Sequence, residues 1–394
     1  ILFVIIAFSG SLRNSFVWDD RGLIVDNPSI DLPLKDTVNV FINPLWKLAG
    51  YAEYKQVYYR PLVSLLFIFD YKLWGLNPVG FHLTNIALHI LSAIFLYKVG
   101  LLLFNNSQSI STAAASIFAA HPIHNEPVGR AASGEVIFGF FVICTIYLYL
   151  REKKYLSWAA FFLALLSKEA AVMLPAGIAI LAARKGLKKC LAEIIPYAIL
   201  IAVYLILRAS FLDTVIGDRV EKPLIPKILT MSAATFDYLR LLMLPYPLNP
   251  FYPARWYESI LEPKVLTAAI IFVFLILIFI KLRKNTIMLF LLGLTLLMLA
   301  PVIWKVNTFP SGPDLSYIAE RFLYAPSMSF ALFVSAVISR LSGNKIKKYI
   351  VPLFVIIAAL FSIASIYSTR IWKNDFTLFG KIAANFPNTS FAHQ

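Results

Sequence analysis

Charge is scarce in this chain. Of its 394 residues only 14% are charged and 59% are hydrophobic, where a soluble domain runs at about 25% charged and about 45–50% apolar. The mean hydropathy is +0.75. A soluble fold of this size cannot hide so much apolar surface, so the composition excludes one and reads as an all-α polytopic membrane protein. Cysteine is scarcer still. Cys144 and Cys190 are the only two, far apart and on or beside apolar segments. They exclude a disulfide framework and read as packing residues. No Gly-rich phosphate loop appears. No internal repeat appears either, which argues against a transporter or flippase built from pseudo-repeated halves. No low-complexity linker marks a boundary before residue 370.

What charge there is carries a pattern. The net charge of +15 comes largely from clusters at Arg151–Lys154, Arg184–Lys189, Lys281–Lys284 and Lys345–Lys348, each in a short gap between apolar runs. That is the positive-inside signature of a chain partnered by a lipid bilayer. It is not the footprint of nucleic-acid binding. Apolar segments of spanning character read at 1–10, 81–104, 110–128, 133–150, 155–167, 169–183, 190–210, 264–281, 286–303, 323–340 and 349–370. They predict about 11 transmembrane helices. The opening run is only half a span long, so the chain is expected to be a fragment or a mature portion.

With the basic clusters inside, segment 155–183 must go out and return, turning near Ser167-Lys168-Glu169. Loops 11–80, 211–263 and 304–322 then lie outside, as does the tail from 371. They hold most of the acids and the Pro clusters. Segments 61–74 and 227–244 read as helices lying at the outer interface. Long external loops on a helical bundle usually carry function.

The first such loop carries Trp18-Asp19-Asp20-Arg21. Two adjacent acids just beyond an apolar run can supply a general base and a partner that orients it or tunes its pKa. They can also serve as a solvated turn or an N-cap. Tyr58-Tyr59-Arg60-Pro61 closes the same loop, with Arg60 suited to bidentate binding of phosphate or carboxylate. His121-Pro122-Ile123-His124-Asn125-Glu126 is dense in substrate-binding groups. His121, His124 and Glu126 also offer a divalent metal an alternative set, although Pro122 breaks the helical spacing of a His-Glu-x-x-His site. Lys168-Glu169 interrupts an apolar hairpin, where ions must pair or face a cavity. Glu320-Arg321 opens a span after loop 304–322, which also holds Lys305; Arg240 is a weaker cation of the same kind.

One external cleft with a base and several cations fits one reaction class. A sugar carried on a lipid phosphate is attacked by an acceptor hydroxyl. Asp19 and Asp20 are the catalytic pair, with Asp20 favoured as the base. Arg60, Lys168 and Arg321 bind the donor phosphate. His121, His124, Glu126, Glu169 and Glu320 bind substrate. No cofactor is required by this chemistry.

The ordered set of motifs resembles the transmembrane and tetratricopeptide-repeat-containing (TMTC-like) branch of the GT-C glycosyltransferases, relatives of the protein O-mannosyltransferases. It consists of Val17-Trp18-Asp19-Asp20, Tyr59-Arg60-Pro61-Leu62, Asn77-Pro78-Val79-Gly80-Phe81-His82-Leu83-Thr84-Asn85, the His121–Glu126 stretch, Leu166-Ser167-Lys168-Glu169 and Ala319-Glu320-Arg321-Phe322-Leu323-Tyr324-Ala325-Pro326-Ser327. The resemblance implies a GT-C fold and a polyprenyl-phosphate donor of mannose or another hexose. It implies inverting transfer outside the cytoplasm, at the plasma membrane of a prokaryote or the endoplasmic reticulum of a eukaryote. Its acidic pair maps onto Asp19 and Asp20. The acceptor would be Ser/Thr of an exported protein, or a surface glycan. One departure stands out: Gly129-Arg130-Ala131-Ala132-Ser133-Gly134-Glu135 lacks the family's usual Asp, a role left to Glu135. Residues 1–370 read as the catalytic domain. Residues 371–394 read as the lead-in to a tetratricopeptide array, which one repeat alone cannot stabilise. A transporter, or a non-catalytic scaffold presenting the repeats, is the competing reading.

Overall fold

A computed structural model describes residues 1–51, 58–212, 223–304, 312–316, 318–341 and 349–389. Lys305, the Lys345–Lys348 cluster and Ala392-His393-Gln394 lie outside the described residues. The principal helices are α1 (Leu2–Phe8), α2 (Pro61–Trp74), α3 (Pro78–Leu103), α4 (Gln108–Ala120), α5 (Asn125–Gly129), α6 (Gly134–Leu150), α7 (Lys154–Ser167) and α8 (Leu174–Ala182). They continue as α9 (Leu187–Phe211), α10 (Leu224–Met243), α11 (Pro263–Leu282), α12 (Thr286–Trp304), α13 (Tyr324–Leu341), α14 (Ile350–Thr369) and α15 (Asp375–Asn385). A small antiparallel ribbon joins Pro253–Ala254 to Gly312–Ser316.

Helices dominate because lipid offers the backbone no hydrogen-bond partner, so each segment must satisfy its own. Local signals set their ends. Proline opens α2, α3 and α11, where its missing N–H is no loss. The Asn77 side chain caps α3 by accepting from Val79 N. Gly75 ends α2 at φ +58°, a backbone that residues with a Cβ avoid.

Among the described residues, six helices are long and apolar enough to cross a membrane: α3, α9, α11, α12, Glu320–Leu341 and Ile350–Trp372. A seventh arises if Pro122–Gly129 and α6, bent by 113°, count as one broken span. The remaining expected spans are helical but short. At about 1.5 Å per residue, α4, α7 and α8 reach only ~20, ~21 and ~14 Å, against a hydrocarbon core of about 30 Å. Neither α2 nor α10 is among the six.

Short α4 sits at the centre, packed against α3, α13 and α14. Its buried residues include Ala113, Ala114, Ser116, Ala119 and Ala120, small side chains that let neighbouring backbones approach closely. Phe8, Phe118, Tyr324, Met328 and Phe354 fill the surrounding core.

Three basic clusters gather at one end of the bundle. Lys185 and Tyr149 both bond Glu193, and Arg184 donates to Lys284 O at 3.1 Å. Segment 155–183 does run from this end to the other and back, turning at Lys168-Glu169. At that opposite end, the break between α5 and α6 opens a cavity.

Candidate active site

The break is held by polar side chains from distant elements. Asn85 Nδ2 donates to the carbonyls of Arg130 and Ala131 at 2.7 and 3.2 Å. Asn14 Nδ2 donates to Gly129 O at 3.2 Å. Asp20 accepts from the backbone: Oδ2 from Val17 N at 3.1 Å and Ala131 N at 3.3 Å, and Oδ1 from Ala132 N at 3.0 Å. Gly134 starts α6 against Val63, where an added Cβ would lie 2.9 Å from Val63 Cγ2. The chain therefore bends sharply without leaving its backbone groups stranded.

Beside this bend lies an open cavity of about 190 Å³. Its walls carry Asp19, Glu126, Arg130, Glu135, Arg60 and Arg321. Trp46, Tyr58 and Phe322 supply aromatic surface, and Leu45, Val63 and Phe67 supply aliphatic surface. The two adjacent acids are separated by the fold. Asp19 lines the cavity with a 36% exposed side chain, whereas Asp20 is fully buried behind it. Burial pushes the Asp20 carboxyl above its ordinary range, opposed by Arg130 and by its N–H donors.

The cations are met by acids. Arg130, 5% exposed, reaches Asp19 at 3.3 Å, Asp20 at 3.5 Å and Glu126 at 3.9 Å. Arg60 forks onto Glu169, its Nη2 at 3.0 and 3.1 Å from the two carboxylate oxygens. Arg321 bonds Glu126 through both side chain and backbone, the N–H donating at 2.9 Å. Lys168 grips both oxygens of Glu135 at 2.6 and 2.7 Å and lies 4.6 Å from the Phe322 ring centre. Lys168 and Glu169 stand behind the wall, each holding a residue that lines it.

Other expected site residues go elsewhere. His121 Nε2 donates to Leu242 O at 3.1 Å, and His124 Nε2 lies 3.0 Å from Ser327 Oγ. Both are buried among Phe118, Phe361 and Tyr324. Glu320 accepts from Asn249 N and the Tyr252 hydroxyl at 2.8 and 2.7 Å. Among the described residues no group of three or more His, Cys, Asp or Glu side chains is placed to share a metal ion.

Sequence reasoning missed Arg130, the hub of the site, and the aromatic walls Trp46 and Tyr58. The signal was present in Gly129-Arg130-Ala131-Ala132, a guanidinium between apolar runs, which demands a partner there. Glu135, one helical turn or so beyond the missing acid, does line the cavity.

No protein-family model matches the chain, and no solved structure matches it. Curated relatives do. The human protein O-mannosyl-transferase TMTC3 is 34% identical over 146 residues, 36% of this chain and 15% of the relative. Human TMTC1 is 34% identical over 131 residues, 32% of this chain and 15% of the relative. Mouse TMTC4 is 35% identical over 148 residues, 32% of this chain and 19% of the relative. The matches thus span less than a fifth of these relatives' own length. Over about a third of its residues, this multi-pass chain is TMTC-like, similar to proteins named protein O-mannosyl-transferases.

Proposed function

We propose that the chain is a membrane glycosyltransferase that moves mannose, or another hexose, from a polyprenyl-phosphate donor to a Ser/Thr hydroxyl of an exported protein. The observation that carries this reading is that Asp19, Arg60 and Arg321 line one open cavity at the end of the bundle away from the basic clusters. The names of the relatives support the sugar and the acceptor.

Asp19 is the base. It is the member of the acidic pair that faces the cavity, and Asp20 holds the loop beneath it. Asp19 takes the proton as the acceptor oxygen attacks the anomeric carbon. The bond from that carbon to the phosphate oxygen breaks on the opposite side, which inverts the centre. The departing phosphate takes its negative charge toward Arg321 and Arg60, fixed before the reaction by Glu126 and Glu169. Arg321, 31% exposed, is more open than Arg60 at 15%, and is the first contact for the phosphate. Trp46 and Tyr58 offer faces for the sugar ring or the lipid. Lys168 acts through Glu135. No metal enters this scheme.

The fold belonging to this reading is GT-C, with about 11 crossings in which the short helices α4, α7 and α8 are completed by their neighbours. The cavity faces away from the cytoplasm, in the plasma membrane of a prokaryote or the endoplasmic reticulum of a eukaryote. Residues 1–370 form the catalytic domain and 371–394 the lead-in to acceptor-recruiting repeats.

The test uses the protein in liposomes with polyprenyl-phosphate mannose and a Ser/Thr peptide. Asp19→Asn is expected to lower turnover about 10²–10⁴-fold, the usual contribution of a general base. Parental turnover in that variant removes the base assignment. Transfer from a nucleotide sugar without the lipid donor sinks the donor class.

A further inference from the structure

Asp19 sits in a loop whose geometry is unusual. Trp18 has φ +52°, in the left-handed region that bulky side chains avoid. A residue held there redirects the chain at the next position, which is Asp19. The loop's own bonds account for part of this shape: Asp20 N donates to Val17 O, Arg21 N to Trp18 O, and Val17 N to the Asp20 carboxylate. The N–H of Trp18 itself goes outside the loop. It donates at 2.9 Å to Oδ1 of Asp375, 357 residues away, and Arg21 Nε donates at 3.0 Å to Oδ2 of the same carboxylate.

Asp375 is the first residue of α15, and its position is well defined. The Asn374 side chain accepts from Thr377 N, and the Thr377 hydroxyl caps back onto Asn374, a complete capping box. Around this contact Val17 is buried with Trp372 and Leu378. Ser15 N donates to Lys373 O at 2.8 Å, and the Trp18 ring lies 6.1 Å from that of Phe379. The Trp372 ring is also 5.9 Å from the Arg130 guanidinium, the hub of the cavity. A second anchor lies at the other end of α15, where Asn385 Nδ2 donates to Asn249 Oδ1 at 2.5 Å.

We propose that α15 is a clamp on the reactive loop, with Asp375 the positioning residue that holds Trp18 left-handed and thereby aims Asp19 into the cavity. The catalytic part of this assignment rests on the transferase reading above; the positioning part rests on geometry alone. Among the described residues Asp375 bonds Trp18 and Arg21, neither of which lines the cavity, so it acts through the loop. Its charge matters less than its acceptor oxygen, because Arg21 is largely exposed and an exposed ion pair contributes little.

The experiment compares the full chain with Asp375→Ala, Asp375→Asn and Arg21→Gln in liposomes. It measures kcat, KM and amide exchange at residues 15–21. Asp375→Ala is expected to lower kcat about 10–100-fold with donor KM within about threefold, since a displacement of about 1 Å is enough for such a loss. Exchange at Trp18 should speed up at least tenfold. Asp375→Asn keeps an oxygen for Trp18 N and should recover kcat to within about threefold of the parent, and Arg21→Gln should match the parent. Unchanged Trp18 exchange in Asp375→Ala overturns the clamp. So does a kcat loss in Arg21→Gln equal to that in Asp375→Ala, which would make the ion pair the cause. If the parent transfers no sugar, the transferase reading falls and Trp18 exchange alone decides the clamp.

Discussion

Asp20 accepts three backbone N–H groups, one from nearby Val17 and two from Ala131 and Ala132, 111 and 112 residues away, while excluded from solvent. Removing such an acceptor strands its donors, at about 1–3 kcal/mol for each buried group left unsatisfied. Asp20→Ala should therefore lower the thermal midpoint in detergent by several degrees, whereas Asp19→Asn, partly exposed, should leave it unchanged. Equal midpoints in both would contradict the division of labour between the two acids. Asp70 offers a separate reading at this scale. It is buried in α2, accepts from the Thr84 hydroxyl at 2.6 Å, and burial pushes it up to about 7. Its folded pKa thus lies above its unfolded value near 3.8. The stability it contributes is full below about pH 4 and is lost as pH rises through about 7. Melting between pH 4 and 8 should show that decline, and Asp70→Asn should flatten it; a parental slope in the variant would assign the decline to another group.

At the scale of elements, the break between α5 and α6 is what makes a cavity out of a bundle. It needs close approach, because Gly134 leaves no room for a side chain against Val63. Gly134→Ala should destabilise the protein, and Val63→Ala in the same chain should restore part of the loss, with a coupling of about 0.5–3 kcal/mol typical of touching residues. Additive effects in that double-mutant cycle would mean that the two do not meet. The helical character was legible from hydropathy, and six of the described helices are long and apolar enough to cross a membrane; the out-and-back course of 155–183 followed from the placing of its flanking charges. The shortness of α7 and α8 was also legible, because Lys168-Glu169 divides their apolar run; that of α4 was not, since the apolar run 110–128 continues across His121-Pro122, where the helix stops. The break at 130–133 was also hidden. Asn14, Asn85 and Asp20 create it, and none is near it in sequence.

Across the whole molecule, the cavity end is a charge network in which cations and acids neutralise one another in a partly dry setting. Arg130 is shared by Asp19, Asp20 and Glu126. Breaking a buried ion pair from one side usually destabilises by about 3–5 kcal/mol, because the other charge is left without compensation. Arg130→Met should therefore fold poorly. Restoring charge balance with a second change at its closest acid, Asp19→Asn, should recover part of the lost thermal stability, and no recovery would show that Asp19 is not the charge Arg130 compensates.

The amino-acid sequence by itself determined the solvent and the ends of most helices. Hydropathy, basic clusters and proline at helix starts act over a few residues, so a linear reading captures them. It also named most of the polar residues that meet at one end, since lipid forces ions into a small number of places. The tertiary structure alone decided which of two neighbouring carboxylates faces the cavity and which acid each cation answers to. It also decided that Lys168 and Glu169 stand behind the wall, and that Asp375 reaches back across 357 residues to Trp18. These depend on close contacts between segments far apart in the chain, and side-chain direction and hydrogen bonding at such separations leave no periodic trace in a single sequence.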